Sequence, residues 1–181
     1  MKKTADDVLN FWAEIGSDGW WQRNDTVDQR IAEEFGETHK LATGSALDDW
    51  QQTPDGALAL IILLDQFSRN LHRGSAEAFA HDAKSLSIAK TAIAMGLDTK
   101  SREDLRVFFY LPFEHCERIA EQEESVKLQH SLGFNPEAMK AALEHREIIQ
   151  RFGRFPHRNP VLGRHTTPAE TAYLEAGGFK G

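Results

Sequence analysis

The feature that most constrains this chain is the run Ala57 to Leu64, eight consecutive apolar residues opened by Thr53-Pro54-Asp55. A threonine hydroxyl caps a helix start and proline fits the first helical position, so the run predicts a helix. Because that helix is apolar on every side, it must be covered all round, at the centre of a core. Eight residues fall far short of the roughly 20 that cross a bilayer. Other helices must therefore pack around it.

Punctuation along the chain supplies those helices. Thr4-x-x-Asp7 reads as a capping box, followed by the stripe Val8, Phe11, Trp12 and Ile15 that stops at Gly16. A second amphipathic helix runs near Thr26 to Ala42, with Val27, Ile31 and Phe35 at four-residue spacing. Ser75 and Gly96 bracket another, in which Phe79, Ala83, Leu86 and Ile93 lie close to one face. Ser101-x-x-Asp104 predicts a further start, and Pro112 a kink or break that leaves the Phe108 carbonyl without its usual donor, before helix resumes up to Gly133. Asn135-Pro136 and Gly153 bound a helix carrying Met139, Leu143, Ile149 and Phe152, and Thr167-Pro168-Ala169-Glu170 caps a short last one. No segment alternates with a period of two. The expectation is an all-α fold, a single domain over 1–181, built from antiparallel helical hairpins in a tetratricopeptide-like right-handed array, although no strict repeat marks a solenoid period.

At 181 residues the chain can bury a core without disulfides or a structural metal. The lone Cys116 excludes an internal disulfide and suits a reducing compartment, and Asp6-Asp7 stands where a secretory signal needs an apolar stretch, so a cytoplasmic protein is expected. A net charge of −7 opposes nonspecific attachment to nucleic acid or to an anionic membrane, and neither is an expected partner. That charge is unevenly spread. From Ile148 to His165 there is no Asp or Glu, while Arg151, Arg154, Arg158 and Arg164 contribute four positive charges.

Three polar clusters carry the candidate chemistry: Asp65 with Arg69 and Asn70; Glu114-His115-Cys116-Glu117; and the stretch from His145 to Arg164. Asp65 and Arg69, four apart, form a local ion pair on a bland reading, yet a carboxylate directly after the apolar run would be costly without compensation. Glu114 with Glu117, and Glu144 with Glu147, have the three-residue spacing of a shared metal site, but His115 and His145 follow their glutamates directly, about 100° round the helix, which argues against metal. Cys116 and His115 are sequence neighbours and do not face each other on a helix, so a packed side chain is the better reading of the thiol. No phosphate-binding, nucleophile-elbow or zinc-protease motif occurs, and no cofactor or metal is implied. In Arg151-Phe-Gly-Arg-Phe-Pro-His-Arg-Asn159, the glycine stops a helix and two prolines stiffen the loop, presenting several donors on a semi-rigid backbone. That suits an anion; alternatively, these arginines neutralise nearby acidic helices and cap their carbonyls.

That string, followed by Leu162-Gly163-Arg164, is similar to the terminal signature of an uncharacterised family, domain of unknown function 924. Further matches are Phe11-Trp12, Trp20-Trp21 with Asp25, Leu64-Asp65-Gln66-Phe67 with Arg69-Asn70, and Phe109-Tyr110-Leu111-Pro112 with Glu114-His115 and Glu117, so the resemblance runs from about Asp6 to Leu174. It implies an all-α, tetratricopeptide-like fold and no established activity. The family commonly has proline at the position of Ser68 and serine at that of Cys116, which further weakens a nucleophile role for the thiol.

Two functions follow as expectations. The first is a binding module in which Asp65, Arg69, Asn70, Glu114, His115, Glu117, His145, Arg151, Arg154, His157, Arg158, Asn159 and Arg164 form one pocket for an acidic small molecule, a phosphate group or a carboxylate-ended peptide. The alternative is an enzyme with Glu114 or His115 as general acid or base and Arg154 and Arg158 stabilising negative charge. A third reading, pure structural pairing, predicts a fully occupied salt-bridge network.

Overall fold

The computed structural model describes residues 2–133 and 135–181, and among them every regular element is helical. The fold is all-α, as the caps and periodicity imply. Two compact units make it up: one from residues up to 73 together with 77–112, the other from 74–76 together with 113–181.

In the N-terminal unit, α1 (Ala5–Trp20) starts at the Thr4 capping box, with Thr4 and Asp7 bonded reciprocally. Gly16 does not end it. Its φ of 69° makes a kink, and the helical chain resumes to Trp20, whose indole N–H donates to the Trp12 carbonyl at 2.7 Å. The second helix, α2 (Asp25–Thr43), is capped by Asn24, and α3 (Pro54–Ile61) by Thr53. Every residue of 56–68 is buried, so the apolar run is the centre that its sequence demands. α1 and α5 (Asp82–Ala94) pack on α3, and a 3₁₀ turn at 48–52 comes so close that a Cβ on Gly56 would sit 2.3 Å from the Trp50 carbonyl oxygen. Phe11, Trp12, Phe35, Phe67 and Phe108 interlock by tilted and edge-to-face contacts beside it. Burying each Leu or Ile of α3 contributes about 1.5–3 kcal/mol.

The chain leaves α3 through a π-helical turn, Ile62–Phe67, and then enters the short α4 (Ser68–Leu71). Such wide turns insert an extra residue and frequently mark functional sites. The helix expected between Ser75 and Gly96 is divided into a 3₁₀ turn at 76–79 and α5. Nor do Ser101 and Asp104 cap a helix start. Ser101 donates to Asp55 Oδ1 at 2.6 Å, Asp104 takes Arg102 at 2.9 Å, and the segment 103–109 winds as 3₁₀.

Pro112 lies in the first turn of α6 (Leu111–Glu114), where its missing N–H costs little. The helix does not then run unbroken to Gly133: it stops and restarts as α7 (Ile119–Ser131). Gln122 stabilises the break, its side-chain amide donating to the Glu114 carbonyl at 2.6 Å and the Cys116 carbonyl at 2.8 Å.

The C-terminal unit pairs α7 with α8 (Pro136–Phe152), which Asn135 caps and Gly153 ends at a left-handed φ of 70°. A short α9 (Pro168–Glu175) starts from the Thr167 capping box. Within the unit, Ile148, Ile149 and Phe155 form an apolar cluster, with Phe152, Tyr173 and Phe179 against them. The buried face of α7 carries Gln122, Ser125 and Gln129 instead of aliphatic residues.

Candidate functional site

In the N-terminal unit the π turn holds Asp65, 1% exposed, beside its compensation. Arg69 Nη1 lies 3.0 Å from Asp65 Oδ1 and donates to the Asp65 carbonyl at 2.7 Å, while both Nη atoms donate to the Asp82 carboxylate at 3.1 Å. Gln66 donates to the other Asp65 oxygen at 2.5 Å. Burial alone would lower the Arg69 pKa, but the two carboxylates hold it above its ordinary value. Asn70 donates to Asp28 at 2.7 Å, and Arg73 pairs with the same carboxylate. Each charge thus meets its opposite within a few ångströms.

Beside this network lie three histidines that the sequence reading passed over, because they come from separate segments. The His39 ring stands 5.7 Å from that of His72 and 6.1 Å from that of His81. Burial, reinforced by the two imidazoles, pushes His39 down to about 4, so it is neutral at physiological pH. Its Nε2 meets the Ser68 hydroxyl at 2.9 Å. Among the described residues no group of three or more His, Cys, Asp or Glu side chains is arranged to hold a metal ion.

In the C-terminal unit, the arginine-rich string is tied to carboxylates. Arg154 grips Glu170 with two bonds, at 2.7 and 2.9 Å, and donates to the His165 carbonyl. These bonds, then the backbone and hydroxyl of Thr167, outweigh burial and hold Glu170 down at about 2. Arg164 grips Glu117 at 2.6 and 2.9 Å and donates to the Phe155 carbonyl, while the Phe155 N–H donates to Glu117. Burial raises the Glu117 pKa, but these bonds bring it below its ordinary value. Asn159, fully buried, bridges the two pairs by donating to Glu170 and accepting from Arg164. Arg151 lies exposed over the rings of Phe152 and Tyr173.

A different chemistry occupies the other side of Phe155. Glu114, 5% exposed, has an oxygen 3.4 Å from Nδ1 of His145, itself 7% exposed. The same Nδ1 lies 2.8 Å from the Ala141 carbonyl, which only accepts, so this nitrogen carries a hydrogen. His115 follows at 6.5 Å between ring centres. Phe155 and Phe179 meet the His145 ring edge-to-face at 5.4 and 4.5 Å, and His157 stands 5.2 Å from Phe179. Burial first, then Arg158 and His145, push His157 down to about 3, against a smaller opposing effect of Glu117. Its Nδ1 is buried with no hydrogen-bond partner among the described residues. Arg158, buried, covers the Phe155 ring at 4.5 Å.

The model of a family of bacterial proteins of unknown function, DUF924, matches residues 8–178. The chain belongs to this family. It is also similar to a solved structure, a protein of unknown function from Agrobacterium tumefaciens, with 44% identity, coverage of 96% of this chain and 97% of that one, and a TM-score of 0.91. No curated protein matches.

For this DUF924 chain, the sequence-derived clusters divide between the units, Asp65, Arg69 and Asn70 in the first and Glu114 through Arg164 in the second. Within the second unit, His145, His157 and Arg158 gather round Phe155, with Glu114 and His115 beside His145, whereas Glu117, Arg154, Asn159 and Arg164 form a half-buried lattice with Glu170. Glu144 and Glu147 are exposed on α8, and Glu117 faces Arg164, so the paired glutamates do not share a site. Gln122, Glu170 and Phe179 were missed: polar residues on a helix and an aromatic after two glycines carry no spacing that announces a role. Glu170 alone had a signal, since a capping-box glutamate near an arginine-rich loop has two uses.

Proposed function

We propose that this DUF924 protein is an enzyme that performs general acid–base chemistry on a small molecule, with His145 as the proton-transfer group and Glu114 as its orienting carboxylate. The observation that carries this reading is the buried Glu114–His145 pair at 3.4 Å, in which Nδ1 is the proton-bearing nitrogen. A carboxylate behind an imidazole fixes the tautomer and stabilises the imidazolium once Nε2 has taken a proton. His115 stands beside the pair as a relay group, and Arg158 is the cation next to the imidazoles that stabilises developing negative charge.

The competing reading, a module that grips an acidic molecule through the whole arginine string, is less well supported, because Arg154 and Arg164 already face Glu170 and Glu117. Arg154 accordingly leaves the catalytic assignment and holds α9. The lone Cys116 favours a reducing cytoplasm for this activity.

A metabolite library screened by thermal shift, with each hit followed for turnover by NMR, tests the proposal. His145→Gln should bind the hits and lose turnover by about 10²–10⁴-fold, the usual weight of a positioned acid or base. Hits that bind the parent and are never converted, or are converted equally by His145→Gln, would leave a binding module.

A further inference from the structure

A helix end leaves its last carbonyls without intrahelical donors, and the short α6 ends at Glu114 itself. Gln122, with no exposed surface near the start of α7, reaches back across the break. Its amide nitrogen donates to two carbonyls of the turn, Glu114 at 2.6 Å and Cys116 at 2.8 Å. Since both partners only accept, the nitrogen and not the oxygen of the amide must face them. The oxygen is left buried with no hydrogen-bond partner among the described residues. That unpaired oxygen offsets much of what the two N–H bonds contribute, so what Gln122 supplies is direction more than stability.

What it directs is the root of the Glu114 side chain. All four buried residues of α7 are polar, Glu121, Gln122, Ser125 and Gln129, so no buried aliphatic side chain of this helix does the same work. Across the gap, His145 is fixed by its own helix, with Nδ1 lying 2.8 Å from the Ala141 carbonyl one turn earlier on α8. The Glu114 oxygen stands 3.4 Å from that same Nδ1. A charge-assisted bond would be roughly 2.7–2.9 Å long. The hydrogen on Nδ1 therefore lies between a carbonyl in contact and a carboxylate one small step away. A displacement of Glu114 by about 0.5 Å decides whether the carboxylate engages it.

We infer that Gln122 is a positioning residue for the acid–base site: by holding the Glu114 carbonyl it sets the distance at which the carboxylate meets His145. That distance governs how firmly a positive charge on the imidazole is stabilised. The inference rests on the acid–base reading of His145 and adds the group that sets its geometry. Glu114 and His145 have further interactions of their own. Gln122 acts beneath these, on the backbone from which the Glu114 side chain extends.

The test reads the His145 ring by NMR, with no ligand present. Gln122→Met keeps the length of the side chain and deletes its N–H donors, so the Nδ1 proton and the ring-carbon protons of His145 should shift. Ser125→Ala removes another fully buried polar group of the same helix and should leave those signals in place. With a substrate from the turnover screen, Gln122→Met should lower kcat by about 10–10²-fold and leave KM within about twofold, the mark of misplaced geometry and not of lost binding. Should Gln122→Met lose its helical circular dichroism, Gln122→Asn, which retains the amide but ends one methylene short, carries the same comparison. His145 signals that coincide with the parent's in the folded variant, or that move equally in Ser125→Ala, overturn the inference, as does a kcat equal to the parent's. Undiminished turnover in His145→Gln overturns the acid–base reading instead and leaves the NMR result as it stands.

Discussion

The two units are stabilised by different means. The first is organised round a helix buried on every side, with aliphatic and aromatic residues from α1, α5 and the 103–109 turn against it. The second has a smaller apolar cluster, round Ile148, Ile149 and Phe155, and holds its loops with a lattice of arginine forks on carboxylates, while the covered face of α7 is polar. The contrast teaches where chemistry is accommodated. Apolar burial is non-directional and tolerates little polarity, so the first unit pairs each carboxylate it buries, Asp65 with Arg69 and Asp98 with Arg106 and the Tyr110 hydroxyl. A directional polar lattice fixes positions instead, which is what a pair such as Glu114 and His145 requires.

The largest expected effect lies in the apolar centre. Leu60→Ala removes a side chain with no exposed surface and should destabilise by about 2–5 kcal/mol, measured by chemical denaturation. A loss below 1 kcal/mol on that scale would mean that α3 is not the organising element and would break the comparison at its first term.

A charge deletion in each unit comes next. Asp65→Asn leaves Arg69 with Asp82 alone and should cost about 1–3 kcal/mol, because a buried charge loses one of its two partners. Arg164→Ala should cost roughly 1–2 kcal/mol, since Glu117 is about a quarter exposed and water recovers part of the loss. Circular dichroism melts of the two variants rank them. The opposite order would show that the C-terminal lattice, and not the π turn, holds the costlier charges.

How much of this was legible follows from the same contrast. Thr53-Pro54 and the apolar run announced α3 because caps and hydrophobicity are local signals, and the same holds for Thr4, Asn135, Gly153 and Thr167. Ser101 and Asp104 misled because their side chains find partners at Asp55 and Arg102, a tertiary outcome that spacing does not encode. The π turn at Asp65 was invisible, since its sequence continues an ordinary helical pattern. Of the site, the residue types were readable and their partition was not: which arginine meets a carboxylate and which meets an aromatic ring depends on how the 153–165 loop folds back.

The smallest expected effect sharpens the comparison through pH. Each unit carries a histidine pushed far down, His39 near 4 and His157 near 3, against an ordinary value of 6.5, and burial lowers His81 as well. Both folded values are depressed, so between them and 6.5 the unfolded chain binds protons that the folded chain refuses. Stability is therefore complete above about 6.5 and falls as pH drops through this window. The Glu170 carboxylate, depressed to about 2 from 4.5, adds its own loss only below 4.5, which leaves pH 7 to 5.5 to the imidazoles. Over that interval each histidine should cost roughly 1 kcal/mol, and His39→Gln or His157→Gln should each flatten the decline by its share in urea titrations at matched ionic strength. If His39→Gln flattens it and His157→Gln does not, the imidazole beside Phe179 is already hydrated in solution. The polar unit would then be the looser of the two at this imidazole.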